Sequence, residues 1–197
     1  MDTTIKNLQI TQMGESNFIK PFSIKFDRGG MHHKWDCIKV HDSVSILLFH
    51  KEKNAFLIVK QFRPSLWYHE SQAGENYDEL GYSYELCAGI LDKNKSFEQT
   101  AIEEVEEELG YKIPHLEYVT ATFGALGFGA SKQYVFFAEI SEDMRISEGG
   151  GVDGEVIEPV WVPLQKAREF IYDEKKPKAS GLIFAFLWYM TKKEKVC

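Results

Sequence analysis

Five glutamates, Glu103, Glu104, Glu106, Glu107 and Glu108, fall within six residues, shortly after a loop that opens at Gly89. Carboxylates at this density suit hard divalent cations, Mg²⁺ first and Mn²⁺ as a substitute, because both favour oxygen ligands. A helical period of about 100° per residue separates the five into groups. Ala101, Val105 and Leu109 recur every four residues and Ile102 widens the stripe, so this side should face a core. Glu103 and Glu106 then point toward water. Glu104 and Glu108 lie one turn apart on the flank of the stripe, with Glu107 one step further round, so these three can converge. Like charges at this spacing disfavour a helix by roughly 0.2–0.5 kcal/mol, and a bound cation would offset that repulsion.

Other residue types with useful chemistry flank this segment. Arg63 carries a planar guanidinium that can hold two phosphate oxygens and stay charged in any site. Glu85, on a strand entering the loop, can hold Arg63 or a metal-bound water, or act as an ordinary strand-end acid. Asp153-Gly154-Glu155 follows Gly149-Gly150-Gly151 and precedes an apolar strand, which lets Glu155 approach a substrate; Glu158 is the runner-up. Gly127 to Ser131 should form a turn whose backbone N–H groups face ligand. The six histidines are scattered without a ligand pattern, and none is assigned a role.

The elements needed to position these groups are legible as alternating runs. Phe22 to Phe26 and Lys34 to Val40 flank Asp27-Arg28-Gly29-Gly30 and predict an N-terminal hairpin. Val44 to Phe49 and Ala55 to Phe62, separated by Lys51 to Asn54, predict a second. Ser71 to Gly81 reads as a loop at the edge of the site, and Tyr84 to Ala88 as a short strand after it. Strands are predicted at Leu116 to Thr122, Gln133 to Ala138 and Val156 to Val162, and helices at Leu164 to Tyr172 and Gly181 to Thr191. Strands interspersed with helices imply an α/β sandwich with helices on both faces of a mixed sheet.

A chain of 197 residues with 44% hydrophobic content can bury one substantial core. A net charge of −7 and a pI near 5.4 argue against a nucleic-acid partner but allow a local basic pocket for phosphates. Cys37, Cys87 and Cys197 lack disulfide or zinc spacing and fit a reducing compartment. The start, Met-Asp-Thr-Thr-Ile-Lys, lacks the apolar run of a signal peptide, and Leu182 to Met190 is far short of the roughly 20 residues that span a bilayer. A cytoplasmic protein with no membrane partner is expected.

The glutamate segment resembles the Nudix box, G-x5-E-x7-R-E-U-x-E-E-x-G-U with U aliphatic. Gly89, Glu104, Val105, Glu107, Glu108 and Gly110 stand at its spacing. Lys95 stands in place of the first Glu, Glu103 in place of Arg, and Tyr111 in the last aliphatic position. Lys60-Gln61-Phe62-Arg63-Pro64 and Glu85-Leu86-Cys87-Ala88-Gly89 resemble the branch of that family that cleaves nucleoside diphosphate sugars. Trp35-Asp36, His41-Asp42-Ser43-Val44 and the Gly149 triplet resemble its UDP-sugar pyrophosphatases.

The resemblance implies a Nudix α/β/α sandwich over 43–197 preceded by a small N-terminal β subdomain over 1–42, the latter serving homodimerisation and substrate contact. It implies Mg²⁺ held by Glu104, Glu107, Glu108, Glu155 and the carbonyl of Ala88, with Glu155 as metal ligand or base. Trp35 matches an aromatic that stacks on the base, with core packing as its other reading. The implied reaction converts UDP-glucose to UMP and glucose 1-phosphate, with ADP-ribose a secondary substrate. Because Glu103 removes a neutralising Arg and adds charge, the alternative is a Nudix module that binds a nucleotide or partner without turnover.

Overall fold

A computed structural model describes residues 5–74, 79–91, 95–152 and 155–194. Asp153, Gly154 and Cys197, singled out above, lie outside the described residues. Strands β1 (Lys20–Arg28) and β2 (Met31–Lys39) form the predicted N-terminal hairpin, a sheet of its own. The remaining strands, β3 (Ser43–His50), β4 (Ala55–Phe62), β5 (Tyr82–Glu85), β6 (Cys87–Ile90), β7 (Glu117–Gly124), β8 (Ser131–Ile140) and β9 (Ile157–Pro163), form one seven-stranded mixed sheet. Helix α2 (Phe97–Leu109) covers one face. On the other lie α3 (Ala167–Tyr172), entered through a 3₁₀ turn, and α4 (Ser180–Glu194).

The alternation of β3 explains the layering. Val44, Ile46 and Leu48 meet Ala101, Val105 and Leu109 of α2, whereas Leu47 and Phe49 pack with Ala167, Leu182, Phe186 and Tyr189. A strand buried on both faces must be covered twice, which accounts for the unbroken burial from Val44 to His50, Ser45 included. Tyr111, the aromatic departure from the box, is buried in the α2 core at 2% exposure, so its ring fills an aliphatic position.

The sheet splits where the site will form. The first half of β3 pairs with β6 (Ser43↔Ile90 to Ile46↔Cys87), and only its end pairs with β4 (Leu48↔Leu57 to His50↔Ala55). Past that hairpin β4 pairs instead with β5 (Val59↔Glu85 to Phe62↔Tyr82). The single strand predicted at Tyr84 to Ala88 is therefore two strands that change partner at Leu86, a switch that β propensity does not encode. It sets Glu85 beside Val59 and Ala88 beside Ser45, at the open end of the wedge.

The loop predicted from Ser71 to Gly81 is also corrected. Helix α1 (Pro64–Ala73) occupies its beginning, with Pro64 in the first turn and Gly74 closing it at φ 67°. Glu70 is buried at 2% exposure and accepts from the Gly81 amide at 2.6 Å, so the segment folds back on itself.

Gly110 ends α2 at φ 73°, and the glycine triplet then wraps the same helix end. The Gly150 amide donates to the carbonyl of Glu108 at 2.8 Å and the Gly151 amide to that of Glu107 at 3.1 Å. These bonds satisfy carbonyls that a helix terminus leaves open. Gly149 sits at φ 67°, where a Cβ would lie 2.4 Å from the Glu108 carbonyl oxygen and 2.8 Å from the Leu109 carbonyl carbon. Neither backbone atom can yield. Gly149→Ala should cost about 2 kcal/mol or more, read as a lower denaturant midpoint at an unchanged slope.

Candidate active site

The helix carrying the glutamates is fixed at both ends. Ser96 caps its start by accepting from the Gln99 amide at 3.1 Å, and the Gly110 turn closes its end. Its core stripe packs down on the sheet, which brings Glu104, Glu107 and Glu108 to the rim of one cleft of about 440 Å³. Ala88 and Gly89 of β6 line the same cleft, as do Arg63, Glu85 and Glu155. Glu106 is exposed, as its position on the helix requires.

Gly89 is required by the approach of Glu104. A Cβ at this position would stand 2.0 Å from Glu104 Oε1 and 2.5 Å from its Cγ, so no side chain fits between strand and helix. Glu108 lies deeper, at 4% exposure, and accepts from the Ala88 amide at 3.3 Å. Burial, the largest cause, pushes the Glu108 carboxyl up to about 8. The charges of Glu104 and Glu155 add to that rise, while hydrogen bonds from the Cys87 thiol and the Ala88 amide oppose it. Burial, with Glu108 beside it, likewise raises the Cys87 thiol well above its ordinary value.

Arg63 and Glu85 form a planar, two-pronged pair: Nε donates to Oε1 at 2.8 Å and Nη2 to Oε2 at 2.7 Å. The Ser83 hydroxyl donates to the same carboxylate at 2.5 Å. Burial works to raise the Glu85 carboxyl, but the bonds and charge of Arg63, with Ser83, outweigh it and hold the carboxyl below its ordinary range. The guanidinium is thereby oriented at the cleft wall. Of the three readings open for Glu85, the geometry shows that it holds Arg63.

Glu155 is delivered by the glycine triplet. Its amide donates to the Val152 carbonyl at 3.0 Å, and a Cβ on Gly151, at φ 87°, would come within 2.9 Å of the Glu155 Cβ. Glu158 is absent from the cleft lining and sits beside the buried Lys60, 3.5 Å from its Nζ; Lys60 also pairs with Glu79. The runner-up is thus committed elsewhere.

Two of the three departures from the box meet each other. Lys95 Nζ donates to Glu103 Oε2 at 2.5 Å, and both side chains are one-third exposed. Glu103 therefore does not point freely into water, nor does it add an unbalanced charge. Trp35 and Gly127 also meet, with the indole Nε1 donating to the Gly127 carbonyl at 2.6 Å, but neither lines the cleft of this chain. Trp35 is 55% exposed, so it does not pack in the core. Gly127 presents its carbonyl to the indole, where an amide facing ligand was expected.

Sequence reasoning gave no site role to Ser43, Gln61 and Gln133, which complete the polar lining. Ser43 and Gln61 stood inside the runs used for the family resemblance, a signal that could have found them. Gln133 opens a strand and carried none.

Among the described residues no three His, Cys, Asp or Glu side chains are drawn together as a ready-made metal site. The chemistry of the donor set nevertheless fits a hard divalent cation. The available donors are oxygens, one carboxylate is held out of water, and the charges of Glu104 and Glu155 crowd it.

A shell of carboxylates on a glycine-bounded helix, set in an α/β/α sandwich, defines the class. The chain belongs to the Nudix family, and the profile of the NUDIX domain matches residues 39–182. It is 34% identical to the uridine diphosphate glucose pyrophosphatase of Bos taurus over 95% of each chain, and 31% identical to that of Mus musculus with the same coverage. It is 30% identical to the GDP-mannose pyrophosphatase of Klebsiella pneumoniae subsp. pneumoniae over 75% of this chain and 70% of that protein. A crystal structure of an ADP compounds hydrolase shares the fold at a TM-score of 0.68 and 15% identity, over 94% of each chain.

The raised Glu108 carboxyl gives a pH prediction. Its folded value, about 8, lies above the ordinary 4.5, so the folded metal-free chain holds this proton more tightly than the unfolded chain. Stability of the metal-free protein should therefore fall as pH rises from about 4.5 to about 8. Mg²⁺ requires the ionised form and should offset the loss, with proton release on binding below pH 8. Thermal melts across this range with and without Mg²⁺, and with Glu108→Gln, check it: the glutamine variant should lose most of the slope.

Proposed function

We propose that this chain is a divalent-cation-dependent diphosphatase of nucleoside diphosphate sugars, converting UDP-glucose to UMP and glucose 1-phosphate, with ADP-ribose as a secondary substrate. The observation that carries this reading is the buried Glu108 carboxylate sharing one cleft with Glu104, Glu107, Glu155 and the oriented guanidinium of Arg63. Membership of the Nudix family and the 34% identity to a uridine diphosphate glucose pyrophosphatase support it.

Mg²⁺, held by Glu104, Glu107, Glu108, Glu155 and the Ala88 carbonyl, would neutralise phosphate oxygens and acidify a water. Arg63 binds the diphosphate through the donors that Glu85 leaves available, and Glu85 fixes the plane in which it does so. Glu155 accepts the proton of the water that adds to phosphorus as the bridging P–O bond breaks, since Glu158 is engaged by Lys60. Attack at either phosphorus gives the same two products. The non-catalytic alternative rests on Glu103 in place of Arg, and Lys95 offsets the charge that Glu103 adds.

The N-terminal part, over 1–42, is proposed as a subdomain through which two copies pair. Phe22, Ile24, Phe26 and Trp35 share one face of the β1–β2 hairpin and are each between 41% and 55% exposed. A two-stranded sheet with such a face is marginal alone in water. Dimerisation would also bring Trp35 and Gly127 to a partner's cleft, which accounts for their distance from this one. No helix among the described residues is long and apolar enough to cross a membrane.

Two measurements test these readings. Release of UMP from UDP-glucose with Mg²⁺ should fall about 10²–10⁴-fold in Glu108→Gln, while Glu106→Gln stays within about twofold; equal rates would refute the assignment, and no turnover of any nucleotide sugar would refute the activity. Light scattering at micromolar concentration should give the mass of a dimer, and a monomer would overturn the pairing.

A further inference from the structure

A second depression, of about 330 Å³, opens beside the carboxylate cleft and shares Ser43 and Gln133 with it. Its other polar walls are Thr122 and Ser131, from β7 and β8, and Ser180 at the start of α4. Phe123 closes one side at 51% exposure and Phe184 another at 37%. The residues lining it include no ionisable side chain, in contrast with the adjoining cleft, where Arg63 and five carboxylates gather.

Gln133 forms the boundary. It stands opposite Ser43 in the parallel pairing of β8 with β3, and its amide nitrogen donates to Ser43 Oγ at 3.5 Å. Its Oε1 rests so near the first turn of α4 that a Cβ on Gly181 would be 2.9 Å away. The amide is thus held between the two depressions. Lys132 lies over the Phe123 ring, 5.4 Å from the centroid, and steadies it at the rim.

We propose that this depression is the subsite for the hexose of a nucleoside diphosphate sugar. The inference rests on the diphosphate occupying the adjoining cleft. A pyranose is neutral, presents hydroxyls that both donate and accept, and has an apolar C–H face. Four side-chain hydroxyls and one amide match the first two properties, and the exposed Phe123 ring matches the third. A nucleobase edge calls for several in-plane amide contacts, and here Gln133 is the sole amide side chain in the lining. A volume in the range of roughly 300–1,000 Å³ is ordinary for small-molecule sites.

Two readouts test the subsite. In the first, the wild-type chain is titrated by NMR with glucose 1-phosphate and, separately, with UMP. Glucose 1-phosphate should shift the Thr122 methyl and the Gln133 side-chain amide more than UMP does. The reverse order, or no shift with glucose 1-phosphate, overturns the proposal. This readout needs no turnover, so it decides the subsite even if the activity proposed above fails. In the second, kcat/KM for UDP-glucose is divided by kcat/KM for the methyl ester of UDP, which keeps the diphosphate and lacks the hexose. Thr122→Val and Phe123→Ala should each lower this ratio about fivefold to tenfold. An unchanged ratio overturns the proposal, whereas a wild type inactive on both substrates reads on the carboxylate cleft alone.

Discussion

Withdrawing the Glu108 carboxylate from water is the constraint around which the site is arranged. An ion of this size buried without compensation costs several kcal/mol, so the fold tolerates it only by leaving it protonated or by presenting it to a cation. The position follows from packing: Val105 and Leu109 must reach the sheet, and the helical repeat then carries Glu108 to the edge of the same core. Removing the side chain at Gly89 lets Glu104 lie flat against the strand beside it. The acidity of the cleft is thus a by-product of how closely helix and sheet approach.

Glu107 and Glu108 are each used twice. Their side chains line the cleft, while their main-chain carbonyls receive the amides of Gly150 and Gly151. Because the triplet that caps the helix leads directly to Glu155, the fourth carboxylate is referenced to the helix rather than to the sheet. Over this stretch the glycine-rich loop is a fastening. On the opposite wall the split between β3 and β4 performs the matching task, placing Glu85 and Ala88 on successive short strands that belong to different halves of the sheet.

Much of this was legible in the sequence because period and spacing are local properties. The hairpins, the buried β3 run, the stripe of α2 and the outward turn of Glu106 all follow from residues a few positions apart. What escaped depends on partners distant in the chain. The change of neighbour at Leu86 cannot be seen in a run of strand-forming residues. Helix α1 has no side-chain cap and buries Glu70 rather than an apolar stripe, so nothing periodic announced it. Gln133 acquires meaning only when β8 is laid parallel to β3 and α4 closes over it.

The contact between Lys95 and Glu103 bears on how such sequences are compared. Matched one position at a time, Lys95 and Glu103 are two separate departures from the family pattern; in the molecule they are one ion pair. Restoring the family's residue at either position alone would set two like charges face to face. Both changes together would again set opposite charges face to face, so the two positions are coupled and the grammar of this helix is written in pairs.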